Sequence, residues 1–202
     1  MLATVKYDPR TFSEPDWSAS LDIEACIDAV PADATMSGMF LSAVVSAASA
    51  AGHRLPGARA SYTAFRKYPM REHCVIMVEA ARAIWPAHTP REGLRRLGRG
   101  APRALMTSML GRVVLGSVEG PTEILSAMAR AYPLNSSPGS LEVAEEGEGR
   151  VVVRLRDIHH FLDSHHVGVF EGVLRHASVE DARVRISPIS RSDADLLCEW
   201  RP

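Results

Sequence analysis

The sequence predicts an α+β fold, in which an N-terminal helical layer is followed by an antiparallel sheet (β-β-α-β-β) with a crossing helix. Three observations carry that expectation. Apolar residues recur at three- and four-residue spacing through most of the stretch from Met36 to Ala131. From Ser140 the pattern changes to alternation, in "SLEVAEEGEGRVVVRLRD" and again in "ARVRISPI" and "ADLLCEW". Between these alternating runs lies one helix-length apolar segment, Ser164 to His176. With 46% hydrophobic and 23% charged residues, the 202-residue chain can bury a core and lies outside the composition of disordered chains. Its length suits one domain.

Residues 1–35 read as a partly irregular lead-in with a strand near Ala3 to Tyr7, and residues 36–202 as a single α+β domain. Met36, Met39, Phe40, Ala43, Val44 and Ala47 mark a buried helix that ends at Gly52. Pro69 starts the next helix, whose face is lined by Cys74, Met77, Val78, Ala81, Ile84 and Trp85 until Pro86 stops it. Thr89 is placed to cap a short basic helix with Pro90 in its first turn. Pro102 to Val118 and Thr122 to Ala131 follow as two further helices, separated at Gly120-Pro121. The Glu146-Gly147-Glu148-Gly149 tip then predicts a hairpin, with the carboxylates of Glu145, Glu146 and Glu148 solvated there. Two more strands, joined around Ser190 to Ser192, close the sheet.

Composition narrows the function classes. A formal net charge of -1 gives no general attraction to phosphate backbones or anionic lipid, so no nucleic-acid partner is predicted. No run of apolar residues is long enough for membrane insertion, and the N-terminus lacks the pattern of a secretory signal, so a cytoplasmic location is expected. Cys26, Cys74 and Cys198 are dispersed, with no C-x-x-C, and read as reduced core thiols. The methionine pairs Met36-Met39 and Met106-Met109 read as core filler. No cofactor fingerprint of the P-loop or dinucleotide type is present, and no cofactor is predicted.

The stretch "DIHHFLDSHHVGVFEGVLRH", Asp157 to His176, holds five of the eight histidines. Its ligand-binding candidates are His160, Asp163, His165 and His166. A zinc site needs three or four ligands that converge, whereas neighbours on a strand point to opposite faces and neighbours on a helix diverge by roughly 100 degrees. At most one of each histidine pair is therefore expected in a common site, and no metal site is predicted; His160, His165 and His166 are the residues that would form one. Asp163-Ser164-His165 has the residue types of a hydrolytic triad, but sequence neighbours do not face one another as a triad must. Asp163 or Ser164 reads instead as the cap of the following helix.

Two further features are candidates for partner or ligand contact. Gly168 and Gly172 share a helix face that invites close approach, either by the domain's own sheet or by a ligand or a second copy of the chain. Arg91, Arg95 and Arg99 form a stripe at four-residue steps that suits an oxyanion or an acidic surface; a solvated face opposite Leu94 and Leu97 is the plainer account.

Taken in order, "GMFLSAV", "FRKYPMREHCVIMVEAARAIWP", "REGLRRLGRGAPRALMTSMLGRVVL", "RAYPLN" and "FLDSHHVGVFEGVLRH" resemble a paralogous family of myxobacterial proteins of similar length and unknown function. That family looks like a distant relative of the haem nitric-oxide-binding, vinyl-reductase-like and transport-particle domains. The resemblance implies a ligand-sensing or protein-docking module rather than a catalyst. Haem-binding members carry a proximal histidine on a helix before the sheet and a Tyr-x-Ser-x-Arg motif near the later helix. Here Pro102 to Ala131 contains no histidine, and the later region reads Phe161-Leu162-Asp163-Ser164-His165.

The resulting expectation is a non-enzymatic regulatory or scaffold module in cytosolic signalling that binds a partner protein and self-associates as a homodimer. The alternative is a small-molecule sensor, for haem or another cofactor, with its pocket between the helical layer and the sheet. A third reading is a metal-dependent enzyme using the His159 to His166 cluster.

Overall fold

The structure, a computed structural model, describes residues 8–107 and 120–201. The predicted strand near Ala3 to Tyr7, Met109 and the end of the predicted helix from Pro102 to Val118 lie outside them. Among the described residues the helices come first and the main sheet last, the order expected from periodicity. They are α1 (Ile23–Asp28), α2 (Gly38–Ala50), α3 (Met70–Ile84), α4 (Pro90–Thr107) and α5 (Pro121–Asn135). Three short strands, β1 (Thr35–Ser37), β2 (Lys67–Pro69) and β3 (Ser136–Ser137), form a small antiparallel sheet of order β2-β1-β3 that ties the starts of α2 and α3 to the end of α5.

The C-terminal part is β4 (Ser140–Gly147), β5 (Arg150–Arg156), α6 (Val167–His176), β6 (Glu180–Pro188) and β7 (Ala194–Arg201). Its strands pair antiparallel in the order β4-β5-β7-β6. Alternation decides the faces. Val151, Val153 and Leu155 of β5 point inward with Leu196 and Cys198 of β7, against Phe170, Val173 and Leu174 of α6. Val152 and Leu197 point the other way and are covered by Phe12 of the lead-in. Ser13 also bridges to Ile186 through paired backbone hydrogen bonds of 3.0 and 2.8 Å. A second core, built from Leu41, Met70, Ile76, Met77 and Leu94, holds α2, α3 and α4 together.

Local signals placed several ends correctly. Thr89 accepts from the Glu92 N–H at 3.2 Å, as its capping position predicts, and Pro69 immediately precedes α3. One expectation is corrected. The break before Pro102 does not occur, because α4 runs unbroken from Pro90 to Thr107. Pro102 cannot donate to the Gly98 carbonyl, but its ring is buried. Packing there outweighs the local preference for a break. In the same way α5 continues through Pro133.

The backbones of α4 and α6 approach each other very closely. A Cβ on Gly98 would collide with the carbonyl of His165, one on Gly168 with the carbonyl of Arg95, and one on Gly172 with the carbonyl of Arg99. The expectation that Gly168 and Gly172 offer a face to the sheet, a ligand or another chain is therefore corrected: α4 takes that face. Both glycines are buried.

The stability of Gly→Ala variants tests this crossing. Gly168→Ala forces a methyl group against rigid backbone, and its loss should be about 1–3 kcal/mol or more. Gly100, also in α4, has open space around it, so Gly100→Ala should be neutral or stabilising by up to about 1 kcal/mol. Urea denaturation of the two variants beside the parent chain checks the contrast; similar midpoints would refute the close approach.

Candidate functional site

Four histidines converge where the helical layer meets the sheet. His73 comes from the buried stripe of α3, His160 from the segment after β5, and His165 and His166 from a five-residue π-turn, Leu162–His166, that leads into α6. Their residues are 2%, 3%, 6% and 4% exposed, respectively, so all four rings lie inside. Ring centroids are 4.3 Å apart for His160 and His166, 5.6 Å for His165 and His166, and 6.0 Å for His160 and His165. His73 stands 5.9 Å from His160 and 6.4 Å from His165.

The backbone explains why sequence neighbours meet here. Asp157 and Phe161 both adopt left-handed conformations, with φ of 58° and 54°. For residues with a Cβ, and above all for one as bulky as Phe, that costs of order 1–3 kcal/mol. The reversal at Phe161 folds His160 back over the turn that follows. The His166 N–H then donates to the Phe161 carbonyl at 3.3 Å, five residues back, which opens the turn beyond α-helical width. The ring planes of His165 and His166 stand at 83°, yet both residues line the cavity. The expectation that only one of them could contribute is corrected on this ground. It rested on ideal strand and helix geometry, and this segment has neither.

His159 follows the expected divergence, its Nε2 lying 2.6 Å from Asp157 Oδ1. Asp163 also leaves the cluster and pairs with Arg91. Ser164 is fully buried, its hydroxyl has no partner, and no side chain caps α6, so neither Asp163 nor Ser164 acts as the expected cap. The arginine stripe is neither a free anion site nor a solvated face. Arg95 Nη2 and Arg99 Nε each donate to Glu171 of α6 at 2.6 Å, and Arg95 Nη1 donates to Glu92 at 3.1 Å. Burial alone would raise the Glu171 carboxyl, but the Arg95 and Arg99 guanidiniums outweigh it and hold it below the usual range. The charge of the stripe thus clamps α4 to α6.

The cavity beside the histidines measures about 80 Å³, and Met36, Phe40, Met128, Leu141, Val169 and Phe170 supply its apolar wall. A second space of about 80 Å³, behind His73 and His165, runs between α2 and α4 past the small residues Ala43, Ala47, Gly100 and Ala101. Among the described residues no Asp, Glu, Lys or Arg lines either space. Burial is the main cause that pushes the imidazoles below their ordinary range, His73 to about 3 and His166 to about 4, with His160 and His165 also driven well down. The positive charge that each ring would place beside the others adds to the effect for His73, His160 and His165. For His166 the carbonyls of His160 and Phe161 act against it. At neutral pH the four rings are uncharged, and each then has one N–H and one bare lone pair. All four Nδ1 atoms are buried without a hydrogen-bond partner.

Such a set can bind a metal ion or a small polar molecule. One ring nitrogen each from His160, His165 and His166 lies within 4.8 Å of the other two. Haem does not fit. Ligand pockets for molecules of drug size occupy roughly 300–1,000 Å³, far more than the 80 Å³ here, and no arginine is among the described residues that line the cavity. His73 was missed by the sequence reading. Its signal was present, since Met70, His73, Cys74 and Met77 fall at helical spacing on one buried face.

Residues 29–201 match the model of DUF2378, described as a protein family of unknown function, and the chain belongs to that family. No curated protein matches it. Solved structures match over 83% of the chain. An H-NOX protein from S. oneidensis in the Fe(II)NO ligation state shares 12% identity at a TM-score of 0.59, with 100% of that chain covered. The unliganded Fe(II) H-NOX protein from K. algicida shares 11% at 0.59, with 97% covered. A single-substitution variant of Tt H-NOX shares 13% at 0.62, with 96% covered. At such identities the likeness establishes the fold, and it agrees with the α+β order read from the sequence.

The buried imidazoles give stability a defined pH dependence. Their folded values lie below the ordinary value of about 6.5, so below pH 6.5 the unfolded chain takes up protons that the folded chain does not. Stability therefore falls as pH drops from about 6.5 towards about 4, by up to about 1.4 kcal/mol per pH unit per histidine. In the presence of a chelator, the urea midpoint should fall more steeply between pH 7 and pH 5 for the parent chain than for a His160→Gln/His165→Gln double variant. Parallel slopes would show that these rings are not held neutral.

Proposed function

We propose, for a chain of this family and this fold, the role of a sensor domain that takes a small ligand into the histidine-lined cavity between helical layer and sheet. The observation that carries this reading is the set of four uncharged, buried imidazoles whose Nδ1 atoms face no partner. Leaving a buried polar group unpaired costs roughly 1–3 kcal/mol each, and a ligand that accepts their lone pairs or N–H groups recovers that loss. Strained backbone at Asp157 and Phe161 beside the same cavity is a second support, since such strain gathers at functional positions. The S. oneidensis neighbour was solved with an Fe(II)NO centre, so in that protein the shared fold holds an internal ligand.

The same geometry supplies a route for the response. His165 sits in the turn whose carbonyl touches Gly98 of α4, and Asp163 in that turn pairs with Arg91 at the start of α4. A ligand that moves the π-turn moves the clamp between α4 and α6. The partner-docking reading has less support, because the glycine face that helped to motivate it is taken by α4, and the arginine stripe, the other candidate contact surface, is paired within the domain. Among the described residues no helix is long and apolar enough to cross a membrane.

Native mass spectrometry of freshly purified, untagged protein tests the proposal, together with thermal melts in added Zn²⁺, Ni²⁺, Fe²⁺ with nitric oxide, imidazole and haem. Bound mass on the native species is expected. A ligand at 100 times its dissociation constant adds about 2.7 kcal/mol, which for a chain of this size raises Tm by roughly 5–11 °C. A bare native mass with no melting shift in any addition would overturn the reading.

A further inference from the structure

Resting on the ligand-binding reading, we infer that His160, His165 and His166 ligate a divalent transition-metal ion of the zinc type, with His73 facing an open fourth position. The first support is donor geometry. Tetrahedral zinc holds imidazole nitrogens at about 2.0–2.1 Å, which sets them roughly 3.3–3.4 Å apart. The three nitrogens here lie within 4.8 Å of one another without any ion, so an inward shift on the order of 1 Å per ring closes the site. His160 and His166 already pack at 4.3 Å between centroids.

The second support is donor chemistry. All four rings are buried imidazoles, and imidazole nitrogen is the commonest metal ligand. A nitrogen-only set with no carboxylate in the cavity wall favours zinc, copper, nickel or cobalt over magnesium, calcium or manganese. In metal sites the second ring nitrogen of each histidine is held by an outer partner, whose loss typically weakens metal binding by roughly 10- to 100-fold.

The third support is the position of His73. It lines the same cavity, with ring centroids 5.9 Å from His160 and 6.4 Å from His165, but its ring nitrogens are not among those within 4.8 Å of one another. Three neutral ligands leave a double positive charge in an apolar space. The fourth position therefore favours hydroxide or another small anion, which lowers the net charge. His73 is placed to donate a hydrogen bond to that anion. It is thus a positioning residue, carried by α3, that joins the helical core to the metal.

Cobalt(II) is the probe. Untagged, chelator-treated protein should take up one Co²⁺ or Zn²⁺ per chain by equilibrium dialysis, and the cobalt form should show the visible absorption of a four-coordinate site. His160→Gln, His165→Gln and His166→Gln should each weaken uptake about 100-fold or more, a ligand being worth at least what its outer partners are. His159→Gln, a neighbour outside the cavity, should not. Circular dichroism and melts of the metal-free variants separate loss of ligand from loss of fold, and the parent's cobalt spectrum stands independently of every variant. Azide added to the cobalt form should shift its spectrum, and His73→Leu should keep the metal while weakening azide about 10-fold or more.

A folded parent chain that binds neither ion, or binding that survives all three ligand substitutions, overturns the metal centre. Azide affinity unchanged in His73→Leu overturns the role of His73. If native mass spectrometry shows a bound organic molecule in a protein that takes no metal, the metal centre falls and the ligand-binding reading stands. A protein bare in both experiments loses both.

Discussion

Where α4 crosses α6, Gly98, Gly168 and Gly172 let two helix backbones touch, and Arg95 and Arg99 close the crossing around Glu171. Neither part would suffice alone. Glycines in helices are unfavourable by about 1 kcal/mol each, and exposed ion pairs contribute little. Packed together and half-buried, they lock α6 at one distance from α4. The π-turn that precedes α6 inherits this position, because the His165 carbonyl is itself one of the contacts on Gly98. Trp17 of the lead-in completes the arrangement, with the Arg95 guanidinium 4.0 Å above its ring and the Thr89 hydroxyl donating to its carbonyl at 2.6 Å.

Once α6 is fixed, the histidines have little freedom. Phe161 is buried in the helical core, while His160, just before it, turns under α6. The segment therefore stitches the two cores together at the cavity. Four imidazoles in a space without counter-charge would be repelled apart if protonated, so neutrality and burial support each other there. This is an expensive way to fill a core. Leucine or methionine in the same places would satisfy packing with no unpaired nitrogen, which is the ground on which a ligand is proposed for the cluster.

The likeness to H-NOX proteins sets the cavity in context without fixing its contents. In this chain the junction between helical layer and sheet holds a space of about 80 Å³ lined with imidazoles. Family membership covers nearly the whole chain but brings no activity with it. The functional reading rests on the side chains, which is where function is decided among proteins that share a fold.

Much of this was legible in the amino-acid order. Helical spacing marked α2 and α3, alternation marked β4 to β7, and Thr89 announced the start of α4. These signals are local, because each depends on which side of one element meets solvent. The site was legible only as composition, five histidines in one short stretch. Its assembly was not, since two residues in left-handed conformations and a widened turn replaced the regular geometry on which spacing arguments depend. Spacing likewise showed that Gly168 and Gly172, and Arg91, Arg95 and Arg99, shared faces, but not that Arg95 and Arg99 would meet Glu171 and the glycines would meet α4. The sequence by itself determined the elements and their order, through periodicity and caps. Only the tertiary structure decided which faces meet, and so brought His73 on α3 to within 6.4 Å of His165, far along the chain, because packing is a property of pairs of elements that no single element encodes.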